Sequence, residues 1–171
     1  MMLSDRPIEP ILKTRVVPLT VAEAFEMFTA RMGDWWPMTS HSISGSADAT
    51  VRFDGRIGGS VVETAPTGEE WSWAEVTAWD PPHRFVLSWH PHPAPVAAST
   101  LDVRFSADGA GCRMDLEHRG WEEFGFEAGT RHREAYDPGW DQVLSPFGGS
   151  GQRAGLTANR QTARSDVDGD L

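Results

Sequence analysis

The segment DPGWDQVLSPF, residues 137–147, predicts a helix that needs a large apolar partner. Asp137 is a favourable N-cap, and Pro138 suits the first helical position because no backbone N–H is needed there. The apolar residues that follow recur at i, i+3, i+4 and i+7, so they form one stripe along the helix. They are Trp140, Val143, Leu144 and Phe147. Because a stripe of this width must be buried, we expect a concave sheet to wrap around it.

The residues on either side of this segment bear on the length of the helix. Residues 121–136 are predicted to be a loop that leads into a helical approach. Pro138 and Gly139 either lie inside one long kinked helix or separate two helices, and we favour the long kinked helix. Pro146 and the glycines that follow it are expected to end the helix. Residues 148–171 are mostly small or polar, which predicts a flexible C-terminal tail.

Upstream, the chain is predicted to be mostly antiparallel sheet. Residues 8–17 form a first strand, and residues 21–36 a helix with a capping box of Thr20 and Glu23. A short irregular segment, 38–48, follows. Six β-rich runs separated by Gly or Pro turns then complete a curved seven-stranded sheet. These runs are residues 49–53, 59–65, 71–80, 83–90, 99–107 and 112–120.

Composition narrows the classes of partner and compartment. The formal net charge is −10 and Lys13 is the single lysine, so nucleic acid is excluded as a partner because phosphate binding needs clustered cations. Cys112 is the single cysteine, which excludes an internal disulfide and fits a reducing compartment. The amino-terminal residues contain no signal-peptide h-region, and no apolar run is long enough for a membrane span. We expect a cytoplasmic protein.

Four segments resemble a known family. They are FDGRIGGSVVE (53–63), AEVTAWDPPHRFVLSW (74–89), HRGWEEFG (118–125) and DPGWDQVL (137–144). Their order and spacing are similar to those of the Activator of Hsp90 ATPase homologue 1-like (AHSA1-like) family, within the START-like or SRPBCC superfamily of Bet v 1-like, helix-grip proteins. The resemblance covers residues 8–147, and it implies an α+β fold in which a seven-stranded antiparallel sheet grips a C-terminal helix around a cavity. Superfamily members bind lipids, sterols and aromatic polyketides, and a minority are cyclases.

Apolar aromatic residues are the candidate walls of such a cavity. Tryptophan has a large apolar surface and one indole N–H that can orient a ligand. The predicted ligand-binding residues are Trp35, Trp36, Phe53, Trp73, Trp89, Met114, His118, Trp140 and Leu144. Among them His118 is the predicted polar anchor, because strand alternation puts it on the apolar face with Met114, whereas Asp115 and Glu117 fall on the opposite, solvated face.

Other residues with reactive side chains do not form a catalytic or metal-binding pattern. His90 and His92 lie in a Pro-rich loop without the further ligands that a metal site needs, so they are predicted to be surface residues. Cys112 begins a strand with no imidazole placed to activate it, which indicates a structural role. The glycine-rich residues 55–59 lie between strands, and a turn or bulge is expected there rather than a phosphate cradle. We predict no catalytic residue, metal or cofactor.

Three functional hypotheses follow from this pattern. The first is a non-catalytic protein that binds a small hydrophobic molecule, lipid-like or aromatic, between the sheet and the last helix. The second, from the resemblance, is a co-chaperone-like module that contacts a chaperone or another protein, with a homodimer also possible. The third is a cyclase-like enzyme, which requires titratable groups that converge inside the cavity.

Overall fold

A curled antiparallel sheet and two helices make up the fold. The computed structural model describes residues 6–92 and 97–147. The strands are β1 (Ile11–Val17), β2 (Thr50–Phe53), β3 (Ser60–Thr64), β4 (Glu70–Asp80), β5 (Arg84–Trp89), β6 (Ser99–Asp108) and β7 (Gly111–Arg119). The helices are α1 (Val21–Phe28) and α2 (Phe126–Val143), with 3-10 turns at Met32–Asp34, Trp121–Phe124 and Ser145–Phe147. The expected helix-grip architecture is confirmed, whereas the predicted tail 148–171 lies outside the described residues.

The sheet has the strand order β1-β7-β6-β5-β4-β3-β2, and every neighbouring pair is antiparallel. Two irregularities interrupt the ladders, one between Val61 and Val62 of β3 and one between Val76 and Ala78 of β4. Bulges of this kind bend a strand and increase its twist. The sheet therefore curls into a half-barrel, and its concave side receives the apolar face of α2.

The first helix is shorter than predicted. Its N-terminus has the expected capping box, in which Thr20 and Glu23 bind each other's backbone N–H groups. The α-helix nevertheless ends at Phe28 rather than at residue 36, because Thr29 leaves helical geometry while its hydroxyl donates to the Phe25 carbonyl at 2.8 Å. The irregular path that follows carries the chain from α1 to the edge of the sheet.

The last helix begins much earlier than Asp137. One α-helix runs through Pro138, which confirms the single long helix, but its N-cap is Gly125, with φ of 87°. Asp137 therefore lies inside α2, where its carboxylate accepts a hydrogen bond from Lys13 at 2.6 Å instead of capping a helix. The α-helix ends at Val143, and Phe147 follows in a 3-10 turn.

Ion pairs and apolar contacts both hold α2 on the sheet. Asp141 binds Lys13 at 3.1 Å and Arg15 at 2.9 Å, so two inward-facing cations of β1 are paired with this helix. The predicted stripe runs along α2 and the turn after it, and all four of its residues are buried. Since Trp140 and Leu144 face the concave sheet rather than water, the interior between them is shared by helix and sheet.

Two aromatic groups divide this interior. The first group is fully packed: Phe25, Phe28, Phe85 and Phe105 lie with ring centroids 5.3–6.4 Å apart, and Phe147 closes it at 5.5 Å from Phe28. The second group consists of tryptophans and borders a cavity. Trp36 belongs to this tryptophan group, whereas its neighbour Trp35 contacts Phe28 and Phe147.

Candidate functional site

A cavity of about 270 Å³ lies between the sheet and α2. Three parts of the chain form its wall: the segment between α1 and β2, the strands β4 and β5, and one face of α2. The α2 residues recur at helical spacing, so they face one side. The lining residues are Trp36, His41, Ser42, Ile43, Trp73, Trp89, Pro91, Ala135, Tyr136, Gly139, Trp140 and Val143.

Four tryptophans contribute to the wall, and each comes from a different part of the chain: the segment before β2, β4, β5 and α2. The ring centroid of Trp36 lies 5.4 Å from that of Trp73 and 6.0 Å from that of Trp140. The Trp89 centroid lies 6.1 Å from that of Trp73 and 6.0 Å from that of Trp140. The centroids of Trp36 and Trp89 lie 6.1 Å apart, so the indoles also pack against each other and form one continuous apolar wall, which suits a ligand with flat apolar surfaces.

The indole N–H groups of these four tryptophans are not available to a ligand. Trp36 donates to the His41 carbonyl at 2.8 Å, and Trp73 donates to the Glu63 carboxylate at 3.0 Å. Trp89 donates to the Tyr136 hydroxyl at 3.1 Å. The fourth, Trp140, donates to Nδ1 of His118 at 2.9 Å. The expectation that indole N–H groups orient a ligand is therefore wrong, because all four hydrogens already have acceptors inside the protein.

Glu63 is a buried carboxylate behind the wall and was not predicted. It accepts hydrogen bonds from the backbone N–H groups of Ile43 and Ser44 at 2.8 and 2.9 Å, as well as from Trp73. Burial alone raises the pKa of this carboxyl, but the hydrogen bonds outweigh burial and hold the pKa below its ordinary value. Glu63 thereby fixes both the irregular segment and the Trp73 ring.

His118 lies behind the cavity wall rather than in it. The side chain is fully buried, and burial lowers its pKa to about 3, so the imidazole is neutral at physiological pH. Its Nδ1 accepts from Trp140, and Nε2 lies 2.7 Å from Oγ of Ser99. The predicted polar anchor instead orients a wall residue, Trp140.

Four other predicted site residues also lie elsewhere in the core. Trp35 donates to the Met27 carbonyl at 2.6 Å and packs in the phenylalanine group. Phe53 contacts Phe85 at 5.3 Å between centroids. Met114 and Leu144 are fully buried among apolar neighbours. Of the nine predicted residues, the structure brings Trp36, Trp73, Trp89 and Trp140 together in the wall.

The sequence analysis did not single out Tyr136 or His41. Burial raises the pKa of Tyr136, so its hydroxyl stays protonated. Burial also lowers the pKa of His41, whose Nδ1 lies 2.7 Å from Oγ of Ser40. The spacing Tyr136, Gly139, Trp140 was a usable signal for a helix face, but the expected helix start at Asp137 divided it.

No group of three metal-binding side chains occurs within residues 6–92 and 97–147. Cys112 is buried, burial raises the pKa of its thiol to about 11, and the sulfur contacts the Arg113 carbonyl at 3.5 Å. A protonated, enclosed thiol fits the predicted structural role.

The convex face of the sheet carries a charge cluster that the sequence analysis also missed. Asp102 is almost fully buried beneath Arg84, Arg104 and Arg119, which bind it at 2.9–3.4 Å. Burial raises the pKa of this carboxyl, but these guanidinium groups outweigh burial and hold it far below its ordinary value. The pairs are mutually satisfied, and we assign them a structural role on the face opposite the cavity.

Comparison with known proteins bears on the fold and the family. Residues 18–148 match the family model described as Activator of Hsp90 ATPase homolog 1-like protein. No curated protein matches the chain. Within the described residues, none of the helices is both long and apolar enough to cross a membrane.

Several solved structures share the fold. An anthrahydroquino-gamma-pyrone synthase is 30% identical, with a TM-score of 0.51 over 77% of this chain and 88% of that one. Protein Ms6760 from Mycobacterium smegmatis is 22% identical, with a TM-score of 0.54 over 80% and 83% of the two chains. The Aha1 dimer from Colwellia psychrerythraea is 12% identical, with a TM-score of 0.59 over 81% and 92%. The similarity below 25% identity concerns the fold alone.

Proposed function

The chain belongs to the family of Activator of Hsp90 ATPase homolog 1-like proteins, and on that premise we propose that it binds a small hydrophobic molecule, aromatic or lipid-like, without chemically changing it. The observation that carries this proposal is the cavity of about 270 Å³, part of whose wall is formed by four packed tryptophans. A preformed apolar cavity binds by removing ligand surface from water, at about 25 cal/mol per Å² of apolar area.

The hydrogen bonds behind the wall support a preformed site. Trp73 and Trp140 are each held by a buried acceptor, Glu63 and His118 respectively. Indole rings that are already fixed lose little conformational entropy when a ligand enters, so more of the burial energy appears as affinity.

Ligand binding is tested by isothermal titration and tryptophan fluorescence against fatty acids, sterols and polycyclic aromatics. The matched variants are Trp36→Phe, in the wall, and Trp35→Phe, one residue away and outside it. Each removes one indole hydrogen bond to a carbonyl, of His41 or Met27 respectively. We expect Trp36→Phe to weaken binding about tenfold and Trp35→Phe to leave it nearly unchanged. Absence of binding by every compound, or equal losses in both variants, would overturn the proposal.

A cyclase-like activity is a second candidate, favoured by two observations. The chain is 30% identical to an anthrahydroquino-gamma-pyrone synthase, and a neutral imidazole and a protonated phenol, His41 and Tyr136, both line the cavity. A base and a hydrogen-bond donor in one apolar site can together enolise a ketone. Deuterium exchange at the α-carbon of an aryl ketone in D₂O separates the candidates: a carrier binds the ketone without accelerating exchange, and an enzyme accelerates it through His41.

The exposed surface of the described residues supports a chaperone or another protein as partner less well than the cavity supports a small ligand. The large apolar side chains that are exposed among the described residues are Leu12 of β1 and Ile57 between β2 and β3. They belong to opposite ends of the strand order, so they do not form one patch. A homodimer and a cytoplasmic location remain part of the proposal, and sedimentation analysis of the full chain tests the dimer.

A further inference from the structure

A directed series of hydrogen bonds runs behind the cavity wall. Trp140 has only an N–H to donate, so Nδ1 of His118 must accept it. In a neutral imidazole the hydrogen then resides on Nε2, which donates to Oγ of Ser99 at 2.7 Å. The Ser99 hydroxyl in turn points to the Trp89 carbonyl at 3.5 Å. Each hydrogen in this series is assigned by the chemistry of its neighbour.

The same reasoning leaves the hydrogen of Tyr136 unassigned. The Trp89 indole donates to the Tyr136 oxygen at 3.1 Å and so uses one acceptor position of the hydroxyl. No side chain or backbone group in residues 6–92 and 97–147 accepts the Tyr136 hydrogen. Since Tyr136 lines the cavity, its O–H can donate a hydrogen bond to a molecule that occupies the cavity.

The other polar side chains of the wall, Ser42 and His41, are less available to hydrogen-bond a ligand. Ser42 donates to the Met38 carbonyl and accepts from the Gly45 N–H, so its hydrogen is already used. His41 is held through Nδ1 by Ser40, while its Nε2 lies 3.7 Å from the position that a Cβ would take at Gly139. The wall thus presents Tyr136 as a fixed donor, with His41 as the second polar group.

We propose that the Tyr136 hydroxyl is a specificity-determining group that selects ligands with a neutral oxygen acceptor, such as an aromatic ketone, over matched hydrocarbons and carboxylates. This rests on the proposed binding function. A ketone oxygen accepts the free hydrogen and satisfies a buried hydroxyl. A carboxylate is disfavoured because none of the described residues that line the cavity is a Lys or Arg that could compensate its burial.

Matched probes of one shape test this selection. Fluorene, 9-fluorenone and fluorene-9-carboxylate share one ring system and differ in the group at a single carbon. By isothermal titration, we expect the wild-type protein to bind fluorenone about fivefold more tightly than fluorene and the carboxylate most weakly. In Tyr136→Phe the ratio of fluorenone to fluorene affinity should fall to about one, whereas in His41→Asn it should persist.

A spectroscopic measurement covers the case in which Tyr136→Phe fails to fold, since that variant leaves the Trp89 N–H without its acceptor. Infrared difference spectra of bound fluorenone should show the carbonyl stretch at lower wavenumber than in cyclohexane. An unshifted stretch in the wild-type protein would overturn the inference.

The outcomes separate this inference from the binding function. Equal affinity for fluorene and fluorenone refutes selection by Tyr136 but leaves the apolar binding site intact, and so does a ratio that disappears in His41→Asn and survives in Tyr136→Phe. Tighter binding of the carboxylate than of fluorenone also refutes it. Binding of none of the three probes overturns the inference together with the proposed function.

Discussion

Mild acidification is expected to destabilise this protein through His118. The folded state holds this imidazole neutral with a pKa lowered to about 3, whereas the unfolded chain has the ordinary value of about 6.5. As the pH falls below 6.5, the unfolded chain therefore takes up a proton that the folded state refuses. The contribution of neutral His118 to stability is therefore fully present above pH 6.5 and is lost progressively as the pH falls toward 3.

The magnitude follows from the proton linkage of one group. Between pH 7.5 and 5.0 the unfolded state gains about 2 kcal/mol from protonation at His118, while the folded state gains almost nothing. Other groups with a lowered pKa also make the free energy of unfolding fall as the pH falls. Glu63, Asp102 and Asp141 lose their contributions mainly below pH 4.5, where unfolded carboxylates titrate. His41, whose pKa is also lowered, acts in the same window as His118 and needs its own control.

Urea unfolding at pH 7.5, 6.5, 5.8 and 5.0, followed by far-ultraviolet circular dichroism, measures this loss. His118→Gln keeps an acceptor for Trp140 and a donor for Ser99 but cannot titrate. We expect it to be less stable than wild type at pH 7.5, with the decline toward pH 5.0 reduced by about 2 kcal/mol. His41→Gln, the control, should retain most of the wild-type decline.

A parallel pH dependence in wild type and His118→Gln would refute the reasoning. That result would mean that the folded state accepts a proton at His118 above pH 5. The buried series through Trp140 and Ser99 would then not hold the neutral form, and the hydrogen assignments built on it would fail with it.

Three further changes have expected outcomes in the same unfolding assay, combined with ligand titration where stated. Gly139→Ala should stabilise α2 by up to about 1 kcal/mol, because a Cβ meets nothing nearer than His41 at 3.7 Å, yet weaken ligand binding by narrowing the cavity; unchanged affinity would contradict this. Gly129→Ala, in the same helix, should destabilise by about 1–3 kcal/mol, since its Cβ would lie 2.1 Å from the Trp121 carbonyl oxygen; a gain like that at Gly139 would contradict this. Glu63→Gln should cost about 1.5–3 kcal/mol by weakening the three N–H donations to a buried carboxylate, and a loss below 0.5 kcal/mol would count against that role.

The strands were predictable because their ends have local causes. Each predicted β run is bounded by Gly or Pro turns, and the observed strands begin and end within a few residues of these boundaries, as with β5 at Arg84–Trp89. The capping box of Thr20 and Glu23 is likewise a contact between residues three apart. Such signals depend on a few residues that are close in the sequence, so they can be recognised without knowing the tertiary structure.

The start of α2 was not predictable in this way. Asp137 and Pro138 have the local chemistry of a helix N-terminus. The helix nevertheless starts at Phe126, because the ion pair between Lys13 and Asp137 and the close packing of Gly129 on the Trp121 backbone stabilise the longer helix. Lys13 is 124 residues away from Asp137 along the chain, and the residue pattern of neither segment predicts that the two side chains are in contact.

The amino-acid sequence by itself determined the curved antiparallel sheet, the family and the burial of an apolar helix face, because alternation and turn residues set which side of each element is apolar. Only the tertiary structure decided which aromatic residues border the cavity. Trp35 and Trp36 are adjacent, yet one fills the phenylalanine group and the other borders the cavity. Side-chain alternation gives the face of a residue but not its depth along the groove, which depends on how bulges curl the sheet and on which distant side chain fills each position.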